Sequence, residues 1–292
     1  MLGLTEQLLY STVRIEAWNA NGVPSTGTGF FFNFPCPDDN EVIPAIVTNK
    51  HVIHKQTRGR FHLTMNDGRG RPDIGKHEGI ELLDFGTCWI HHPDPRVDLA
   101  ICPIAPVFHQ LAHVGKRIFY VGLDQSLIPS EAQLSELNAV EDVMMVGYPN
   151  GLWDATNNLP LVRRGITSSP PSVQYNGKPE FVIDMACFPG SSGSPVLIVN
   201  QGLVQDKKGN INLGGSRILL LGILYAGPQT TASGRIVVTT APTNLQPIPV
   251  VNMMMNLGFC VRAERIMDFA AILLANSAMG AQKKLLAASD AA

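Results

Sequence analysis

Short runs of β-branched and aromatic residues recur along most of this chain, each cut off by Gly, Pro, Asn or Asp. They read as strands at Thr12 to Trp18, Gly29 to Phe34, Ile43 to Val47, Arg58 to Thr64, Ile80 to Phe85, Cys88 to His92 and Leu99 to Ile104. A second series follows at Val143 to Gly147, Leu161 to Ser168, Phe181 to Met185, Val196 to Asn200, Ile218 to Tyr225 and Ile236 to Thr240. Many short strands joined by turns build barrels or sandwiches, not helical bundles. The 27 glycines and 21 prolines suit that architecture. Between the two series, Phe108 to Gln125 fits neither period clearly and is assigned to the crossover. Ser130 to Gln133 is a capping-box pattern for a short helix, with Leu134 and Leu137 at helical spacing. A short helix is also compatible with Leu4 to Leu9. From Arg262 onward Ile266, Phe269 or Ala270, Leu273 and Ser277 share one helical face, and Gln282 to Ala292 is expected to fray.

Composition narrows the function. Residues are 45% hydrophobic and 16% charged, a core-forming balance. The net charge of −2 supplies no attraction for nucleic acid or for an anionic membrane surface. Arg58, Arg60, Arg69 and Arg71 cluster, and the sequence assigns them to a solvated glycine-rich loop. Five cysteines with irregular spacing and no CxxC pair argue against a disulfide framework and for a reducing compartment. Met1 to Glu6 has no basic head or signal-length apolar run, and Phe269 to Gln282 is too short to span a bilayer. A soluble cytoplasmic protein is expected. His91-His92 invites a metal reading, but neighbours on a strand point opposite ways and no third ligand is suitably spaced. No metal and no cofactor are expected.

One stretch carries chemistry. Phe188-Pro189-Gly190-Ser191-Ser192-Gly193-Ser194-Pro195 lies between two strand-like runs, so it forms a tight loop. A serine hydroxyl is a poor nucleophile that needs a base and donors for the oxyanion it generates. His51 follows the strand Ile43 to Val47, and Asp98 stands at the mouth of Leu99 to Ile104. The chain order His51, Asp98, Ser192, with gaps of 47 and 94 residues, distinguishes this arrangement from other folds that use the same three residue types.

At these residues the chain resembles the trypsin-like serine proteases, and within them the HtrA-type branch. The motifs are Gly27-Thr28-Gly29-Phe30, Thr48-Asn49-Lys50-His51-Val52, Val97-Asp98-Leu99-Ala100-Ile101 and Val146-Gly147-Tyr148-Pro149-Asn150-Gly151-Leu152. They continue with Arg164-Gly165-Ile166-Thr167-Ser168, Ile183-Asp184-Met185-Ala186, Gly190-Ser191-Ser192-Gly193, Gly222-Ile223-Leu224-Tyr225-Ala226 and Leu257-Gly258-Phe259-Cys260-Val261. The resemblance covers roughly residues 27 to 262. It implies an all-β fold of two packed antiparallel β-barrels with a C-terminal α-helix. Residues 1–107 would form the barrel carrying His51 and Asp98, 108–140 the crossover and 141–261 the barrel carrying Ser192. Residues 262–292 would supply the helix and tail, with no room for a PDZ module.

The resemblance further implies Ser192 as nucleophile, His51 as base and Asp98 as its orienting partner. The backbone N–H groups of Gly190 and Ser192 would form the oxyanion hole. The substrate pocket would be walled by Met185, Ala186, Cys187 and Phe188 on one side and Tyr225, Ala226 and Gly227 on the other, with Ala186 at its base. No charged residue occurs from Met185 to Ser194 or Leu219 to Ser233, so small to medium apolar side chains are the expected fit. Zymogens of the family hold an aspartate where this chain has Ser191, so loop packing or a regulatory partner must order the hole; a homo-oligomer is one such possibility. The expected activity is a serine endopeptidase acting on protein or peptide substrates. The alternatives are a catalytically silent binding or regulatory scaffold on the same fold and, more weakly, an esterase.

Overall fold

The structure, a computed structural model, describes residues 2–36, 41–205, 207–232 and 251–275. The expected strand Ile236 to Thr240 and the tail from residue 276 lie outside the described residues. After the short helix α1 (Leu4–Leu8) come β1 (Thr12–Asn19), β2 (Pro24–Pro35), β3 (Val42–Thr48), the single-turn helix α2 (Lys50–Ile53), β4 (Gln56–Asn66) and β5 (Pro72–Leu83). β6 (Ile90–His91) and β7 (Ala100–Pro103) precede helix α3 (Ala105–His113), β8 (Leu123–Asp124) and α4 (Glu131–Ser135). The first sheet runs β5-β4-β1-β2-β3-β7-β6, with β8 added in parallel to β2. Its ends, β5 and β6, are joined through the 3₁₀ turn Phe85–Cys88, where Phe61, Phe85 and Trp89 pack edge to face.

The second half contains β9 (Asp142–Gly147), β10 (Leu161–Thr167), β11 (Glu180–Asp184), β12 (Pro195–Gln205), β13 (Ile211–Ala226), the pair β14 (Gln229–Ala232) and β15 (Val251–Met254), and β16 (Leu257–Arg262). Its sheet closes on itself in the order β10-β11-β16-β13-β12-β9. The expected two-part antiparallel β architecture is therefore present. At the C-terminus a 3₁₀ helix over Ala263–Phe269 runs into an α-helical turn over 270–275.

β2 explains why Phe30-Phe31-Phe32 carries no alternation in the sequence. Both faces of this strand are buried: Phe30, Phe32 and Phe34 point into the core between the halves, and Phe31 into the interior of the first sheet. The inter-half core continues through Val47, Val146, Leu197, Ile223 and Val261, and the C-terminal helix closes it with Ile266, Phe269 and Leu273. A separate core of Val143, Phe181, Ile183, Val196 and Leu221 fills the closed barrel.

Three assignments change. Arg58 and Arg60 are not loop residues: they sit on β4, pair with Glu81, and stack against Trp18. Only Arg69 and Arg71 occupy the hairpin tip, where the Asp67 carboxylate accepts their backbone N–H groups. Cys88 ends a 3₁₀ turn and does not begin a strand. Within the crossover, residues 105–113 are helical, with Pro106 in the first turn and Leu111 buried. The capping box at α4 is present as expected, with Ser130 and Gln133 satisfying each other's backbone N–H groups.

Candidate active site

β3 ends at Thr48, and Asn49 turns the chain into α2 so that His51 leaves the sheet rim. Asn49 Nδ2 donates to the Asp98 carbonyl at 2.7 Å, tying the histidine turn to the segment before β7. The Asp98 carboxylate then receives two groups from His51: the backbone N–H at 3.2 Å and the ring Nδ1 at 2.5 Å. A carboxylate only accepts, so Nδ1 is the donor of this contact, and in the neutral imidazole Nε2 is the nitrogen with the lone pair. The His51 side chain is 47% exposed and that of Asp98 24%, so the base faces solvent while its partner is shielded. Lys50 extends over the same segment, donating from Nζ to the Asp94 carbonyl at 3.0 Å. Partial burial lowers its ammonium pKa, and the Asp98 and Asp94 carboxylates oppose that shift.

Two glycines make the serine loop possible. Gly190 and Gly193 have φ of +84° and +88°, in the left-handed region. A Cβ at Gly190 would sit 2.6 Å from the Tyr148 carbonyl oxygen, and one at Gly193 only 1.9 Å from that of Thr28. The loop is thus pressed against both β2 and the turn after β9.

Thr28 is the junction. Its N–H donates to the Ser192 carbonyl at 2.9 Å, and its hydroxyl donates to the Gly190 carbonyl at 2.9 Å. That same hydroxyl accepts from Tyr148 N–H at 3.1 Å, and the Thr28 carbonyl accepts from Thr48 Oγ1 at 2.7 Å. One residue of the first sheet therefore fixes the serine loop, the turn after β9 and the strand that leads to His51.

The Pro189–Gly190 peptide is anchored from its other side. Asn150 N–H donates to the Pro189 carbonyl at 2.6 Å. The carbonyl and N–H of a trans peptide point in opposite directions, so this bond turns Gly190 N–H away from Asn150. Ser191, where a zymogen would hold its aspartate, is fully buried, and its hydroxyl has no hydrogen-bond partner among the described residues. Backbone bonds from neighbouring turns hold this loop where the family's aspartate would otherwise pair.

Beside Ser192 lies a cavity of about 230 Å³ lined by Cys187, Phe188, Pro189, Ser192, Leu224, Tyr225, Ala226, Gly227 and Met254. Of the seven residues expected to form the substrate pocket, Cys187, Phe188, Tyr225, Ala226 and Gly227 line it. Met185 and Ala186 do not, and the Ala186 carbonyl accepts from Arg163 Nη1 at 2.5 Å. Sequence spacing missed Leu224 and Met254 as walls, and Arg163 and Glu180 as neighbours of the site. Met254 reaches it from β15, distant in the sequence and without a motif. Tyr225 donates its hydroxyl to Glu180 Oε2 at 3.0 Å; burial and that carboxylate raise the phenol pKa, so it stays neutral. Burial pushes the Cys187 thiol up to about 11, against the opposing pull of Arg163, so it is a neutral wall and no rival nucleophile near neutral pH.

A family model described as a trypsin-like peptidase domain matches residues 27–204, more than half of the chain. The chain belongs to the trypsin-like peptidase family. No curated protein sequence matches it. Among solved structures, this trypsin-like peptidase is similar to the Rv3671c protease from M. tuberculosis in its active form, at 15% identity and a TM-score of 0.42, covering 90% of this chain and 80% of that one. It is also similar to the HtrA-type protease AlgW with tripeptide, at 14% identity and a TM-score of 0.46; 92% of this chain aligns, but only 62% of that one. Deg5 aligns at 19% identity with a TM-score of 0.42, over 76% and 82% of the two chains.

No group of three or more His, Cys, Asp or Glu side chains with metal-binding geometry exists among the described residues, where His91 and His92 diverge. His92 is buried against the C-terminal helix, donating from Nε2 to Asp268 at 2.9 Å. All five cysteines are free thiols. A chelator and a mild reductant are therefore expected to leave melting temperature and peptidase rate unchanged; a fall of several degrees with either would reveal a metal or a disulfide that holds the fold.

Proposed function

We propose that this trypsin-like peptidase is an active serine endopeptidase with His51, Asp98 and Ser192 as its triad. The observation that carries this reading is the 2.5 Å contact between His51 Nδ1 and Asp98, which leaves Nε2 as a free base. Ser192 stands in a loop bound through Thr28 to the strand that delivers that histidine. In the reaction Ser192 Oγ attacks the scissile carbonyl as Nε2 takes its proton. The resulting imidazolium is stabilised by Asp98 and then protonates the leaving amine. Water, deprotonated by the same nitrogen, hydrolyses the acyl-enzyme. Gly190 and Ser192 N–H groups, which spend no backbone hydrogen bond within the loop, would hold the oxyanion. A fluorophosphonate that labels the wild type at Ser192, and fails to label the Ser192→Ala protein, tests the assignment. The silent scaffold and the esterase are the other outcomes: no labelling at all, or ester turnover without amide turnover.

The cavity beside Ser192 sets the expected preference. Its walls bear no charged side chain, so a buried Lys, Arg, Asp or Glu before the scissile bond would lack a partner and cost several kcal/mol. An apolar side chain gains ~25 cal/mol per Å² removed from water. Cleavage-site profiling on a proteome-derived peptide library should return Val, Ala, Leu or Met at that position. A majority of Arg or Lys would overturn the pocket assignment while leaving the triad standing. The free thiols support a reducing, cytoplasmic setting for protein or peptide substrates, a proposal that two intact disulfides in the native protein would refute.

A further inference from the structure

The turn whose Asn150 N–H grips Pro189 is itself held by the first sheet, at a cluster no triad motif includes. Arg14 on β1 donates from Nε to the Gly151 carbonyl at 3.2 Å, and its guanidinium lies 5.1 Å over the Trp153 ring. Trp153 also packs against His62 of β4, with ring centroids 4.7 Å apart, and against His77 of β5 at 5.7 Å. His77 Nε2 bonds the Ala155 carbonyl at 3.0 Å, and Glu16 bonds His62 Nε2 at 3.2 Å while pairing with Arg14. The partly buried guanidinium, tryptophan ring and two imidazoles form one cluster of tilted and edge-on contacts between the sheet and the loop.

Asn150 and Gly151 both have positive φ, 51° and 70°. For asparagine that conformation is uncommon and needs outside contacts to persist. The turn closes on itself through Gly151 N–H to the Tyr148 carbonyl at 3.0 Å and Leu152 N–H to the Pro149 carbonyl at 2.8 Å, and it is held to the first sheet through Gly151 on Arg14 and the Trp153 ring under the same guanidinium. We propose that Trp153 and Arg14 are positioning residues for the oxyanion hole, clamping the turn that orients the Pro189–Gly190 peptide. The clamp joins the first sheet to the donor side of the serine loop, independently of Thr28. This rests on the peptidase reading above.

Trp153→Ala should lower kcat for a peptide amide on the order of 10²-fold, the size of losing one oxyanion donor. KM should stay within about twofold, because Pro189 is the one pocket wall that belongs to the clamped peptide. Trp153→Phe, which keeps an aromatic face for Arg14, should restore most of the rate. Amide hydrogen exchange at Asn150 should accelerate at least ~10-fold in Trp153→Ala, with the β11 amides unchanged. Unaltered Asn150 exchange, or a rise in KM with kcat preserved, would overturn the clamp. If the wild type shows no Ser192-dependent hydrolysis, the peptidase reading fails, and exchange at Asn150 alone then decides the clamp.

Discussion

Ser192→Ala is expected to lower kcat/KM for peptide hydrolysis by about 10⁴-fold or more while leaving the melting temperature within a degree or two. The two halves of this expectation come from different places in the structure. The hydroxyl is half-exposed, so its removal opens no cavity in the core, and the loop is held by its backbone: the Ser192 carbonyl on Thr28 and the Gly193 N–H on the Leu224 carbonyl at 2.8 Å. The rate, by contrast, depends on the one oxygen that can form the acyl-enzyme. His51→Ala should cost nearly as much, and the double variant little more, because a nucleophile and its base act as a unit. Near-wild-type turnover by pure Ser192→Ala would remove Ser192 from the mechanism. Additive losses in the double variant would separate the two residues.

The second large effect is steric. Gly193→Ala places a methyl 1.9 Å from the Thr28 carbonyl oxygen and 2.5 Å from Thr48 Oγ1, at a φ of +88°. The backbone conformation alone costs about 1–3 kcal/mol for a residue with a Cβ. The clash must in addition push the serine loop off β2, breaking the bonds that Thr28 makes to it. A fall in melting temperature of roughly 5–10 °C is expected, together with near-complete loss of hydrolysis. Gly22→Ala is the control: its φ is +75°, but no atom lies within 4 Å of the added carbon, so only the backbone cost applies. Equal destabilisation by the two substitutions would show that the close approach of loop and strand contributes nothing.

Much of this was legible before any coordinates. The triad candidates carry local signals: a histidine just past a buried strand, an aspartate before another, and a serine between glycines. Each signal reflects a backbone need that the residues on either side must meet. Strand positions followed from β-branched runs, and the helix α4 from its capping box. What escaped was long-range or two-sided. Phe30 to Phe34 gives no period because both faces of β2 are covered. The helix at 105–113 was obscured although Val107, Phe108 and Leu111 stand at helical spacing behind a first-turn proline. Ala186 was matched by its distance from the serine, but Arg163, on a strand 23 residues earlier, holds the Ala186 carbonyl. Met254 enters the site from an element that no motif marks, and Glu180 from the start of a strand whose motif begins three residues later. Trp153 reads as one more loop aromatic until the sheet beneath it is known.

Thr28 has a consequence for how the molecule comes into being. Its four hydrogen bonds engage residues 48, 148, 190 and 192, so three of its partners are synthesised more than a hundred residues after it. A chain emerging from the ribosome holds His51 beside Asp98 early, but the nucleophile's loop has no anchor until β9 and β12 have been made and docked. Whatever hydrolysis Ser192 performs therefore waits until β9 and β12 have been made and docked against β2.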